Sequence, residues 1–135
     1  VAIVMAEHPH AALVRKGYDA FSRGDMETLR GIMTSDCAQH VPGSSQISGD
    51  FKGVDNILAY YQQLFELTGG AMRAELRDVF VDGRGHAMSV HHLHAERGGK
   101  SYDAEGGIVF RIVGDKATDL DECIDDIGRS DAFWG

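Results

Sequence analysis

The chain has 135 residues, 43% of them hydrophobic, which suits one globular domain with a real core and leaves no room for a second. Lys and Arg number 13 against 21 Asp and Glu, a formal charge of -8, and no stretch gathers the basic residues into a stripe. Nucleic acid and anionic membrane surfaces are therefore not expected partners, since both are held by clustered cationic side chains.

The opening "VAIVMAEHPH" carries only a short apolar run, without a basic flank or cleavage site. No secretory signal is expected there, and residues 1–9 are read as a disordered tail. From Ala11 to Phe21, the residues Leu13, Val14, Tyr18 and Phe21 recur at helical spacing. "SRGD" then supplies Gly24 to stop that helix and Asp25 to cap the next. The second helix is short, with Leu29, Ile32 and Met33 on one side. "CAQHVPG" reads as a brief strand ended by Pro42 and Gly43, and "SSQISGDFKG" as a loop holding a second extended piece. The third helix shows the stripe Val54, Ile57, Leu58, Tyr61, Leu64 and Phe65 and ends at "TGG".

The second half changes period. Over residues 71–82, Met72, Ala74, Leu76, Asp78 and Phe80 alternate with Arg73, Glu75 and Arg77, as a half-buried strand does. "DGRG", "RGGK" and "VGDK" then separate extended runs at 86–97, 101–113 and 116–126. Three helices followed by an antiparallel meander indicate an α+β fold with the helices on one face of a curved sheet. Gly106 and Gly107 inside a strand mark the bend that such curvature needs. On the uncovered face Val79, Val81, Val109 and Val113 favour a homodimer packed through the sheet. Cys37 and Cys123 match no metal or redox spacing, which reads as a reduced, cytoplasmic compartment, and no run reaches membrane-spanning length.

"SVHHLHAER", residues 89–97, places three histidines on one strand. Ser89, His91 and Leu93 share a face, while His92, His94 and Glu96 share the other. The second row has the residue types of a metal site but lacks further ligand spacing, so no metal is expected and an exposed or interfacial row is. In "KATDLDECIDD", Glu122 stands between Leu120 and Ile124 on a core-facing parity. Burial there raises a carboxyl toward the range of general acid and base work. The opposing reading shifts the register and places Glu122 on the acidic edge with Asp119, Asp121, Asp125 and Asp126. Asp78 falls on the apolar face of its strand, either as a pocket group or as a turn cap. His40 alternates with Ala38 and Pro42 and is read either as facing inward or as a satisfied core histidine.

The ordered pieces "YDAFSRGDMETL", "HVPGSSQISGDFKG", "ELTGG", "LRDVF", "VFRIVGDKATD" and "DAFW" resemble the SnoaL-like polyketide cyclase family over residues 10–135. That family lies in a superfamily with nuclear transport factor 2, ketosteroid isomerase and limonene epoxide hydrolase. The resemblance implies a single cone-shaped α+β domain, three N-terminal helices on a curved antiparallel sheet, a deep apolar cavity, a dimer and no cofactor. "SYDAEGGIVFRIVGDKATDLDE" aligns without gaps on the epoxide hydrolase pattern, with Glu122 at a catalytic aspartate, His91 at a second and Ser89 at the arginine. The Asp-Arg-Asp trio is thus not preserved, and epoxide hydrolysis by that route is not expected. In the ketosteroid isomerase pattern the general base falls close to His40, the oxyanion aspartate near Gly107, and the helix tyrosine one step from Tyr18.

The expectation drawn from this is a cofactor-independent acid/base enzyme acting on a small apolar carbonyl-bearing molecule. Glu122 is the principal acid/base, His91 its partner and His40 a second polar group at the cavity mouth. Asp78, Ser89, Tyr18, Tyr61, Phe65, Phe110 and Trp134 are expected to contact the substrate. The rival is a non-catalytic binder or carrier in the same cavity. A third reading, an interaction module, requires Tyr61, Phe65, Phe110 or Trp134 to fill the cavity themselves.

Overall fold

A computed structural model describes residues 7–135. Helix α1 (Pro9–Ser22) begins with Pro9 in the first turn, where its missing N–H is no loss, and the His8 side chain accepts the His10 N–H. Pro9 thus belongs to the fold rather than to a tail, and the expectation for residues 1–6 lies outside the described residues. Helix α2 (Met26–Gly31) is capped by Asp25, which accepts the Thr28 N–H at 3.1 Å. Helix α3 (Val54–Thr68) ends where Gly69 turns left-handed at φ 58°.

Six strands form one sheet: β1 (Met33–Val41), β2 (Gly49–Lys52), β3 (Met72–Val81), β4 (His86–Arg97), β5 (Lys100–Val113) and β6 (Lys116–Ile124). Their order is β2-β1-β6-β5-β4-β3. Helix α3 carries the chain from one edge of the sheet to the other, and the meander β3 to β6 then returns across it. The last strand therefore arrives beside β1 running in the same direction, with Gln39 opposite Leu120. The sheet is mixed, which corrects the all-antiparallel expectation. The helix order is corrected too: α3 follows two strands, and a fourth helix, α4 (Ile127–Trp134), closes the chain under an Asp126 cap. Helix α1 lies on β3 and β4, while α3 lies on β1 and β2. The core sits between these helices and the inner face of the sheet.

Strand parity decides which side chains enter that core. On β4 the inward residues are Ala87, Ser89, His91, Leu93 and Ala95, and on β6 they include Leu120 and Glu122. On β3 the alternation is broken, because Leu76 pairs with His91 but Asp78 pairs with Val90, which leaves Arg77 as an extra residue. Past that bulge the parity reverses. Val79 packs against the core, whereas Asp78 and Phe80 turn outward. The apolar residues exposed on the outer face are Phe80, at 53% exposure, its cross-strand neighbour Met88, at 46%, and, of the four valines expected there, Val113, at 59%, whereas Val79 packs inward.

The bend at Gly106 and Gly107 has a steric basis. A Cβ on Gly107 would stand 1.9 Å from the Ser89 carbonyl oxygen, and one on Gly106 would stand 2.5 Å from that of Cys123. Cys37 is buried and Cys123 exposed, and both are free thiols. Among the described residues no helix is long and apolar enough to cross a membrane.

Candidate active site

Between the helices and the sheet lies a cavity of about 100 Å³ with a largely apolar wall. Tyr18, Tyr61, His91, Phe110, Glu122 and Trp134 all line it. The aromatic residues form the wall without closing the space. Phe65 is not part of that wall: it packs on Phe21, itself a wall residue, with ring centroids 5.0 Å apart. Ser89 is buried directly behind the wall and reaches the cavity only through Tyr18.

Two further expectations are corrected. His40 is exposed and pairs with Asp50 across β2, because Cys37, Gln39 and Val41 take the inward positions of β1 and leave His40 the opposite parity. Asp78 is also exposed, since the bulge at Arg77 rotates it to the outer face.

Glu122 is reached by two side-chain donors, both directed at Oε1. Gln39 donates Nε2–H at 3.1 Å, and the Tyr60 hydroxyl donates at 3.5 Å. Tyr61 in turn donates to Gln39 Oε1 at 2.6 Å, which fixes the amide so that its NH₂ faces the carboxyl. Nothing among the described residues bonds Oε2. Desolvation pushes the Glu122 carboxyl up to about 7, against the bonds from Tyr60 and Gln39 that favour the anion. At neutral pH the group is thus divided between acid and base. Tyr60 and Tyr61 are pushed well above the usual phenol range by burial and keep their protons as donors.

A second polar group stands on the neighbouring wall. The Tyr18 hydroxyl is 2.7 Å from Ser89 Oγ and 2.5 Å from His91 Nδ1. Desolvation holds the His91 imidazole down to about 4, so it is neutral at physiological pH. On the outer face His92 bonds Glu105 at 2.8 Å and Asp103 at 3.0 Å, and His94 bonds Asp103 at 2.9 Å. This row is a ladder of hydrogen bonds between imidazoles and carboxylates. No cluster of three or more ligating side chains able to hold a metal occurs among the described residues.

Gln39 and Tyr60 were missed by sequence reasoning. Gln39 carried a signal, since it stands between the apolar Cys37 and Val41 in the same pattern that singled out Glu122. Tyr60 carried none, because the apolar stripe of the third helix passes through Tyr61 and leaves Tyr60 out.

Comparison with known proteins places this geometry. The SnoaL-like domain pattern matches residues 14–120. An uncharacterised protein of Mycobacterium tuberculosis is 33% identical over 130 residues, covering 96% of this chain and 99% of its own length. The structure of Bal32a, from a soil-derived mobile gene cassette, superposes with a TM-score of 0.92 at 37% identity, covering 94% of this chain and 97% of that one. An NTF2-like protein of unknown function from Burkholderia pseudomallei shares the fold with a TM-score of 0.84 at 17% identity, over 95% of this chain and 98% of its own. With most of its length matched and its cavity built between the expected helices and sheet, the chain belongs to the SnoaL-like domain family.

Proposed function

We propose that the cavity is the active site of a cofactor-independent acid/base enzyme that moves a proton on a small, largely apolar carbonyl compound. The observation that carries this reading is Glu122, a carboxyl in an apolar cavity whose pKa of about 7 is matched to proton transfer at neutral pH. The ionised form takes a proton from the carbon beside the carbonyl. The C–H electron pair becomes the new C=C bond, and the carbonyl pair moves onto oxygen, giving an enolate. Glu122, now protonated, returns that proton to carbon or oxygen and is restored.

Size limits the substrate. A cavity of about 150 Å³ holds one benzene ring, so the space of about 100 Å³ sets a single small ring as the upper limit. A carrier of apolar molecules would fit the same wall, but it has no use for a carboxyl held at the edge of ionisation.

The test is hydrogen–deuterium exchange at the α-carbon of small cyclic ketones and 1,3-diketones, followed by NMR in D₂O. Exchange by the parent should rise with pH as Glu122 ionises and level off above about 7. Glu122→Gln should lower it roughly 10²- to 10⁴-fold, the usual share of a positioned acid/base group. Equal exchange in the variant would remove Glu122 from the mechanism, and exchange by neither protein would leave the carrier reading.

For the assembly we propose a homodimer through the outer face of the sheet. Phe80 and Met88 are exposed there side by side, and the same face carries both the His92 and His94 imidazoles and the Asp103 and Glu105 carboxylates. A face with both signs of charge can match a rotated copy of itself. Light scattering checks this, with Phe80→Asp expected to give monomers.

A further inference from the structure

The Tyr18 hydroxyl has one proton and two neighbours. It stands 2.7 Å from Ser89 Oγ and 2.5 Å from His91 Nδ1. Ser89 Oγ in turn accepts the Ile108 N–H at 2.9 Å, where the β4–β5 pairing passes from Met88 to His91 without Ser89 and Val90. Two directions of donation satisfy Tyr18. If His91 donates to Tyr18 and Tyr18 to Ser89, then the Ser89 proton is left with the Ile108 carbonyl, at a long 3.4 Å. If Ser89 donates to Tyr18 and Tyr18 to His91, every bond in the chain is one of the short ones. The second direction is favoured because hydrogen bonds weaken toward that length.

That direction makes Nδ1 an acceptor. A neutral imidazole carries a single proton, so the proton is on Nε2. His91 is buried and neutral, held down to about 4 by desolvation. Nothing among the described residues bonds Nε2, although His91 lines the cavity. Gly106 leaves the space that nitrogen needs, since a Cβ there would stand 3.3 Å from it.

We infer that His91 is locked as its Nε2–H tautomer and donates that hydrogen bond into the cavity, to the carbonyl or enolate oxygen of the ligand. Tyr18 and Ser89 are positioning residues: they set the tautomer from behind, and the Tyr18 proton is engaged inside the protein. A neutral imidazole polarises a carbonyl without surrendering its proton, because the N–H stays with the ring throughout. This inference rests on the reading of the cavity as a carbonyl site. The register supports the pairing of the two groups. Ser89, Ile108 and Glu122 lie in one cross-strand row, and His91 lies in the next, opposite Gly106. Acid/base group and donor thus stand two strand spacings and one two-residue step apart, roughly 12 Å at the backbone, and both line the same hollow.

Nitrogen NMR of histidine-labelled protein tests the inference without turnover, with His91 assigned from the spectrum of His91→Gln. The parent should show a protonated Nε2 and a bare Nδ1, and Tyr18→Phe should change the ratio of the two neutral tautomers at least tenfold. Ser89→Ala should move it in the same direction by less, and decides the matter if the first variant does not fold. 4-Nitrophenol, one ring with an acidic oxygen, should shift the Nε2 resonance of the parent. A protonated Nδ1 in the parent, an unmoved ratio in the variants, or an Nε2 signal indifferent to 4-nitrophenol would each overturn the inference. The carbonyl reading fails separately, through the exchange rate of Glu122→Gln, which none of these spectra measures.

Discussion

His91 and His92 are consecutive residues on one strand, yet they occupy opposite electrostatic worlds. His91 points inward, loses its water and is held down to about 4 by desolvation. His92 points outward, and both its ring nitrogens meet carboxylates, Glu105 at 2.8 Å and Asp103 at 3.0 Å. Carboxylates only accept, so that arrangement requires a proton on each nitrogen and hence the cation. The bond to Glu105 is the largest of the causes that raise the pKa of His92. The acids divide in the same way: Glu122 is raised by burial on the inner wall, and Asp103 is lowered outside by its bond to His94. One step of strand parity thus separates groups suited to chemistry from groups suited to charge pairing.

The sheet bend that holds the two faces in this arrangement gives the largest expected effect. Gly107→Ala brings a Cβ to within 1.9 Å of the Ser89 carbonyl oxygen, a backbone atom that cannot swing away. The β4–β5 approach behind Tyr18, Ser89 and His91 would have to open. A loss of about 3 kcal/mol or more is expected, measured by urea denaturation. A cost below about 1 kcal/mol would show that the bend is soft and that the inner wall is not rigidly placed.

The inner wall should also reveal itself through pH. Glu122 has a folded pKa of about 7 against an ordinary value of 4.5, so in this window the folded protein holds the proton that the unfolded chain releases. Stability from this group therefore falls as pH rises from 4.5 to about 7 and is level above. Glu122→Gln keeps the oxygen that accepts from Gln39 and removes the penalty. The variant should be more stable than the parent by up to about 3 kcal/mol at pH 8, and equal to it near pH 4. A variant that loses both activity and stability at pH 8 would mean that the carboxylate is favoured, not penalised, in its site.

How much of this was legible before the structure depends on whether alternation was continuous. On β4, and on β6 from Leu120 onward, the period of two runs unbroken, so it separates His91 from His92 and His94 and gives Glu122 the parity of Leu120, while the family resemblance is what points His91 inward. On β3 the bulge at Arg77 inserts one residue with no mark in the sequence, and every later residue, Asp78 and Phe80 included, changes face. On β1 the two parities, Cys37-Gln39-Val41 and Ala38-His40-Pro42, are about equally apolar, so only the pairing with β6 decides that Gln39 enters and His40 leaves. Hydrogen-bond partners such as Tyr60 come from distant elements and are set by packing, which no local pattern records.

The outer row offers the smallest effect and the sharpest contrast with His91. His92 has a raised pKa, so the stability it contributes is present below its ordinary value of 6.5 and is lost as pH rises through the raised folded value. The sign is opposite to that of His91, whose lowered pKa makes the fold less stable as pH falls from 6.5 toward about 4. His92→Gln should therefore destabilise the protein slightly at pH 5.5 and not at pH 9. His92, Asp103 and Glu105 stand on the outer face, so 0.5 M salt should erase the difference by screening where that face is bare, and leave part of it where the proposed dimer covers the row. Thermal melts of both proteins at the two pH values, with and without salt, check this. A deficit that survives salt would mean that the row is covered, and since a second copy on the outer face would cover it, the same melts bear on the proposed dimer.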